Sequence, residues 1–498
     1  MHARRLVIAI IASVFFVLNA ISQAEAPQRK VGDLRFEPFK FTIGGSNVDA
    51  ELGRLIVKEN HFKADSRLIE LAFVRLKSTA TKPGNPVIYL DGGPGSSAIN
   101  LASVPDYMRA FQKLREVGDV ILLDQRGVGR SRPVLTRLMP TGLPTDIFAN
   151  RIKAQAEFTN RFKEASEYFR SQVIDLSAYN TQQSAYDVDA VRKALGADKV
   201  NLVGFSYGTH LGLACIRYHG ANLDRVVLFG TEGPDHTEKL PSTSDNAVRR
   251  LAKLAAADPE IGPQAPDLYA TLKRVLEKLE REPAKVTVID RRTNKPVEIT
   301  VNHDGLRFLI RMDLGDTNDL PIFPAWFVTM ERGDYSILAR FAERRYNQFG
   351  GGAPIMSVMM DGASGGSAAR RRQIAREAKK SILSDMMNFP SFFIPGISEG
   401  TDLGNDFRSP IHTAVPTLFF SGELDNNTPP FQADEVRKTF KNSIHIVIAN
   451  AGHESMLTDE RCQQTMVDFL NGKDVSAVKI ALPPLKFAPI PPEKRSED

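Results

Sequence analysis

Residues 201–212 read NLVGFSYGTHLG, and this stretch constrains the fold more than any other. Val200, Leu202 and Val203 make a short apolar run suited to a strand, and an apolar helix pattern resumes near Thr209. Between them Ser206 is flanked at two residues' distance by Gly204 and Gly208. A strand that reverses this abruptly into a helix forces the residue at its apex into a strained backbone conformation. Only glycine-sized neighbours leave room for it. A G-x-S-x-G turn of this kind presents its serine hydroxyl at the end of a sheet, where a nucleophile is needed. Five residues with three fixed positions arise by chance, so the reading depends on what else the chain supplies.

The surrounding pattern is consistent with such a sheet. NPVIYLDGG and GDVILLDQRG each carry a continuous apolar run ending in Asp and Gly, and DRVVLFG, VPTLFFSGELD and SIHIVIANAGH add three more. Strands buried on both faces read this way, and they belong to parallel sheets. Alternating runs between Phe39 and Leu76 predict an antiparallel region ahead of them. Val188, Val191 and Leu195 are spaced for a helix packed on the sheet, so the class is α/β. From Pro234 to Ser409 helical stretches dominate, with KVTVIDRRTNKPVEITVN as a small hairpin and FGGGAPIMSVMMDGASGGSA as a loop too glycine-rich to be regular throughout. The division this predicts is a signal peptide over 1–26 and a first core segment over 27–233. A cap insertion over 234–409, a second core segment over 410–480 and a Pro-rich tail over 481–498 complete it.

A serine hydroxyl is a weak nucleophile until a base takes its proton, and that base must be oriented by an acid. In the α/β-hydrolase fold these follow the serine as acid and then histidine. Asp425 stands just beyond the strand run of FFSGELDNNTPP, and His453 just beyond the next in VIANAGHESM. Of the nine histidines only His453 follows a late strand at the required point; His210, on the elbow helix, is expected to pack. Glu423 and Asp434 are the alternative acids. The developing oxyanion needs two backbone N–H donors. Tyr207, directly after the serine, supplies one, and Gly93 in the loop DGGPGSSA supplies the other.

Composition narrows the setting. The chain has 498 residues and a formal charge of +5, too small at that length for a nucleic-acid or membrane-surface protein. Arg4 and Arg5 precede the apolar run LVIAIIASVFFVLNAI and the small residues of SQAEA, the pattern of a secretory signal peptide cut after Ala24 or Ala26. The expected location is therefore periplasmic or secreted, with no stable membrane association after cleavage. The cysteines are Cys215 and Cys462 alone, which excludes a disulfide scaffold, and no Cys/His cluster has metal-ligand spacing. No metal and no organic cofactor is expected. The helices bearing the two cysteines fall on opposite faces of the predicted sheet, so two free, buried thiols are expected.

GGPG after one strand, DQRGVGRSRP after the next, GFSYGTHLG, SGELDNNTPP and NAGHE together resemble the proline iminopeptidase family, in its exported tripeptidyl-aminopeptidase-like branch. The resemblance covers roughly residues 45–235 and 410–472. It implies an α/β-hydrolase fold, mostly parallel central sheet with a large mainly helical cap insertion. It also implies a serine aminopeptidase with Ser206, Asp425 and His453 as its triad and Gly93 and Tyr207 as its oxyanion hole. The Asp124–Gln125–Arg126–Gly127 turn would brace the site. Many iminopeptidases have His where this chain has Asp91, which weakens strict proline specificity. The substrate's ammonium needs a carboxylate; the family draws glutamates from the cap, and Glu232 in LFGTEGP is the candidate here, with Asp361 behind it. The expected partner is a peptide with a free N-terminus. The same machinery would cleave esters, so an esterase is the alternative, and the oligomeric state is left open.

Overall fold

The computed structural model describes residues 29–139, 141–396 and 400–493. The predicted signal peptide, residues 1–26, lies outside them. Its nine-stranded sheet uses β1 (Leu34–Ile43), β2 (Ser46–Lys58), β3 (Leu68–Leu76), β4 (Val87–Leu90) and β5 (Val120–Asp124). It continues with β6 (Val200–Phe205), β7 (Leu223–Phe229), β8 (Thr417–Gly422) and β9 (Ser443–Ile448). The spatial order is β1-β2-β3-β5-β4-β6-β7-β8-β9. The first three strands and the β3–β5 pair are antiparallel, and every pair from β5 onward is parallel.

Period-two alternation sorts these apolar strands into two cores. Ile88, Leu90, Ile121, Leu123, Leu202 and Leu228 face one side, with Val188, Val191 and Leu211 of the helices Thr181–Ala194 and Tyr207–His219. Val87, Tyr89, Val120, Leu122, Val203 and Val227 face the other, with Phe111 and Met466 of Pro105–Leu114 and Glu460–Leu470. Each fully buried side chain of this size contributes on the order of 1.5–3 kcal/mol, which is why both faces of the sheet are covered. Cys215 belongs to the first core and Cys462 to the second; both are buried and free, as the predicted topology requires.

A third core fills the helical region. Trp326 stacks on Phe341 with ring centroids 4.1 Å apart, among Leu268, Leu272, Phe323 and Phe327. The predicted hairpin is present as Ala284–Asp290 paired with Lys295–Val301. Leu143, Phe148 and Ala154 from before the elbow join this core, as do Phe487 and Ile490 of the Pro-rich tail. The segment expected to be irregular is largely ordered. Gly352–Pro354 pairs with Thr136–Leu138, and Ile355–Ser364 is a helix. Most of its glycines lie at element ends, while Met356, Met359 and Met360 give the helix an apolar face that packs on the sheet's first core. Asp361 therefore stands on a helix and not in a loop.

Candidate active site

The elbow is built by close approach. Ser206 has φ 55° and ψ −125°, a conformation costing on the order of 1–3 kcal/mol for a residue with a side chain. Its neighbours hold it there. Ser206 N donates to Phe229 O at 2.9 Å, and Thr209 N and Oγ1 donate to Ser206 O at 2.8 and 2.6 Å. A Cβ at Gly208 would lie 1.9 Å from Leu90 O, and one at Gly204 would lie 2.5 Å from Gly208 O. Both positions are closed to any other residue. Ser206 itself keeps access to solvent while the residues on either side are buried.

At the next sheet positions the chain places the acid and the base. Asp425 follows β8 and folds its own turn, with Oδ1 accepting from Asn427 N and Thr428 N at 2.8 and 2.9 Å. Its Oδ2 accepts from Thr428 Oγ1 at 2.7 Å and from His453 Nδ1 at 2.8 Å. Burial opposes ionisation of Asp425, but His453 and the Thr428 donors more than offset it and hold its carboxyl below the usual range. An ionised carboxylate only accepts, so the proton sits on Nδ1 and Nε2 keeps its lone pair. Burial likewise disfavours a charged His453, yet the Asp425 carboxylate wins and raises its pKa. The imidazole lies against the elbow, its centroid 4.9 Å from that of Phe205. Gly230 leaves the room: a Cβ there would stand 3.2 Å from His453 Cε1 and 2.6 Å from Thr428 Oγ1. The alternative acids are engaged elsewhere. Glu423 Oε2 accepts from Asn450 N at 3.2 Å, and Asp434 pairs with His445 at 3.0 Å.

The glycine loop after β4 crosses directly over the serine. A Cβ at Gly92 would stand 2.9 Å from Ser206 Cβ, and the exposed Gly93 follows at φ +110°. Tyr207 opens the elbow helix, where an N–H has no intrahelical acceptor. Asp91 anchors the loop from below, accepting from Gly92 N at 2.8 Å and Tyr89 Oη at 3.1 Å. Asp124 holds its far end through Ser97 Oγ at 2.6 Å and Ile99 N at 3.2 Å. His210 is packed, as expected: Nδ1 donates to Gly233 O at 3.1 Å and Nε2 accepts from Ser364 Oγ at 2.9 Å. Burial lowers its pKa and keeps it neutral.

Glu232 enters beside the elbow, its N–H donating to Thr209 Oγ1 at 2.8 Å. Its Oε2 accepts from Lys239 Nζ, while its buried Oε1 has no hydrogen-bond partner. Burial opposes the charge on Glu232, but the charge and hydrogen bond of Lys239 hold its carboxyl below the usual range. Asp361 behaves oppositely, pushed well above that range by burial and by the charge of Glu232. It is half-buried, on the helix Ile355–Ser364. A loop of the helical region reaches this site, with Gly315 O accepting from His453 N at 3.4 Å. Sequence reasoning missed Thr428 and Lys239. An Asx-type turn is readable in DNNT, but Lys239 carries no local signal.

The chain is similar to serine protease Hip1 of Mycobacterium tuberculosis, 29% identical over 37% of this chain and 36% of that one. It is also similar to tripeptidyl aminopeptidase of Streptomyces lividans, 29% identical over 38% of this chain and 34% of the relative. Proline iminopeptidase of Heyndrickxia coagulans is 26% identical over 40% and 56%. The chain thus spans about a third to half of the length of the curated relatives it matches. The model of the alpha/beta hydrolase fold matches residues 85–460, from β4 through the helix after His453. A match of that extent, over the same strands that carry the elbow, means that the chain belongs to the alpha/beta hydrolase fold family.

Proposed function

We propose that this protein is an exported serine exopeptidase that hydrolyses peptide bonds near free N-termini. The observation that carries the reading is the buried Asp425–His453 pair at 2.8 Å, its imidazole set against Phe205, the residue before a strained, accessible Ser206. In the proposed mechanism Ser206 Oγ attacks the scissile carbonyl carbon while His453 Nε2 takes the hydroxyl proton. Asp425 keeps Nδ1 protonated and stabilises the imidazolium. The N–H groups of Gly93 and Tyr207 receive the oxyanion. Collapse of the tetrahedral intermediate breaks the C–N bond, and His453 returns its proton to the departing amine. Water then enters, gives a proton to His453, and hydrolyses the acyl-serine through the same steps.

Peptidase chemistry, as against ester cleavage, is favoured by Glu232, an ionised carboxyl beside the elbow whose Oε1 has no hydrogen-bond partner and which suits a substrate ammonium. The names of the relatives agree with it. Location outside the cytoplasm rests on the signal-peptide pattern of residues 1–26. The test is a panel of aminoacyl and tripeptidyl fluorogenic amides with free or acetylated amines, run beside a short-chain ester. Cleavage confined to free-amine amides is expected. Ester cleavage with every amide intact would move the protein among the esterases.

The pH profile follows from His453. Its neutral form is the base and Asp425 raises its pKa, so kcat/KM should rise with pH through an ionisation above the ordinary histidine value. In Asp425→Asn the raising charge is gone and burial alone acts. The midpoint of the residual activity should then fall below that value. A midpoint unchanged by Asp425→Asn would mean that another group titrates.

A further inference from the structure

A cavity distinct from the elbow reaches the acid of the triad. It encloses about 230 Å³ between the helix Pro241–Ala257 and the turn that follows β8. The described residues that line it include Asp425 but neither Ser206, His453 nor Glu232. One helix face makes its wall. Thr243, Ala247, Arg250, Leu251 and Leu254 recur at the spacing that gathers side chains on one side of a helix. Leu314, Leu320 and Pro430 close the space from other segments. The volume falls below the roughly 300 Å³ at which drug-sized ligand sites begin, so it suits a small, mainly apolar ligand.

Two polar groups interrupt the apolar lining. Thr243 is only 6% exposed, and its Oγ1 has no hydrogen-bond partner among the described residues. A buried hydroxyl left unpaired costs on the order of 1–3 kcal/mol. Arg250, two turns further along the same face, is exposed, and its Nη1 donates to the backbone oxygen of Glu423. Among the described residues no carboxylate pairs with it. The two carboxylates of the lining are engaged elsewhere, Asp425 by His453 and Thr428, Glu423 by Asn450 N. What the cavity offers is an apolar volume, an unpaired hydroxyl and a cation open to an anion.

We infer that this cavity binds the C-terminal end of an apolar peptide: one residue with its free carboxylate and the peptide group before it. The carboxylate takes the guanidinium of Arg250, the side chain fills the leucine-lined volume, and the peptide carbonyl accepts from Thr243 Oγ1. A fatty acid of equal size would satisfy Arg250 and the leucines but leave the Thr243 hydroxyl unpaired, which is why the ligand is a peptide. Such binding does not depend on the exopeptidase reading, and no residue of the cavity other than Asp425 belongs to the triad.

The experiment is calorimetric binding of N-acetyl-L-leucine to the whole protein, with N-acetyl-L-leucinamide and octanoate for comparison. It is repeated on Arg250→Gln, on Thr243→Val and on protein treated with a serine-reactive phosphonate. The acetyl group removes the amine on which the proposed substrate site depends. N-acetyl-L-leucine should bind at least about tenfold tighter than its amide, the value of one hydrogen bond to a charged group. Arg250→Gln should abolish that difference, and its exposed position spares the fold. Thr243→Val, which removes an unpaired hydroxyl at nearly constant volume, should weaken N-acetyl-L-leucine about fivefold and leave octanoate unchanged. No binding, equal binding of acid and amide, or a preference that survives Arg250→Gln overturns the inference. Octanoate binding as tightly as N-acetyl-L-leucine, or indifference to Thr243→Val, overturns it in favour of a fatty acid. Phosphonate-labelled protein should bind as before; loss on labelling would put the ligand in the substrate site instead. A protein that resists the phosphonate yet binds as expected sinks Ser206 as the nucleophile and leaves this cavity's ligand standing.

Discussion

Ser206→Ala is expected to lower kcat by roughly 10⁴-fold or more on every substrate the wild type cleaves, with the fold intact. The magnitude follows from how such constellations work: nucleophile, base and acid act as a unit, so loss of the nucleophile removes nearly all that the three supply together. What survives comes from the oxyanion donors and from binding. The fold should be indifferent, because the elbow is held by Ser206 N on Phe229 O and by Thr209 on Ser206 O, all of them main-chain atoms of residue 206. Alanine at φ 55° is strained as serine is, so the thermal midpoint should stay within a few degrees. Active-site labelling by a serine-reactive phosphonate, compared between the two proteins, checks the same point without a substrate. Wild-type turnover in Ser206→Ala would exclude this serine as the nucleophile.

Arg126→Met should cost about 3–5 kcal/mol of stability, the range for removing one partner of a buried ion pair. Arg126 is fully buried, its Nε and Nη2 each 2.7 Å from an oxygen of Asp187. Its Nη1 donates to the carbonyls of Glu59 and Ala178, so one guanidinium joins four separate segments. Burial works against the Asp187 carboxylate, and Arg126 with His61 holds it ionised. Methionine fills most of the volume but leaves that charge with His61 alone, at 2.8 Å. Urea unfolding reads the loss. The double variant Arg126→Met with Asp187→Leu should recover much of it, because no buried charge is then left unpaired. Activity should fall with stability, since neighbouring Gln125 Nε2 donates to Asp91 O at 3.0 Å and ties the turn to the glycine loop. A double variant no more stable than the single would mean that the contacts to Glu59 and Ala178, and not the charge pair, carry the effect.

These two sites mark the range of what was legible beforehand. Ser206 announced itself because the constraint is local: a strand, a reversal and a helix within twelve residues leave only glycine at 204 and 208. Asp425 and His453 were legible for a related reason. Each stands just past an apolar strand run, and parallel strands bring their carboxyl ends to one edge of the sheet. The free thiols followed from the same logic, since two helices assigned to opposite faces cannot be bridged. The glycine-rich stretch before Ser364 was misread because glycine content was counted without asking where the glycines fall. Methionines at 356, 359 and 360 bury one face and outweigh the weak helix propensity of Gly362.

What the chain by itself determined is thus the sheet, the elbow and the order in which nucleophile, acid and base come to its edge, all consequences of periodicities a few residues long. Tertiary structure alone decided which charged groups meet beside the elbow. Lys239 on Glu232, and Asp361 whose ionisation the Glu232 charge opposes, are brought together by packing of the helical region, from positions up to 129 residues apart. No local pattern records which charges will meet, because an ion pair's energy depends on distance and on the water excluded around it, and both are set only when distant segments pack together.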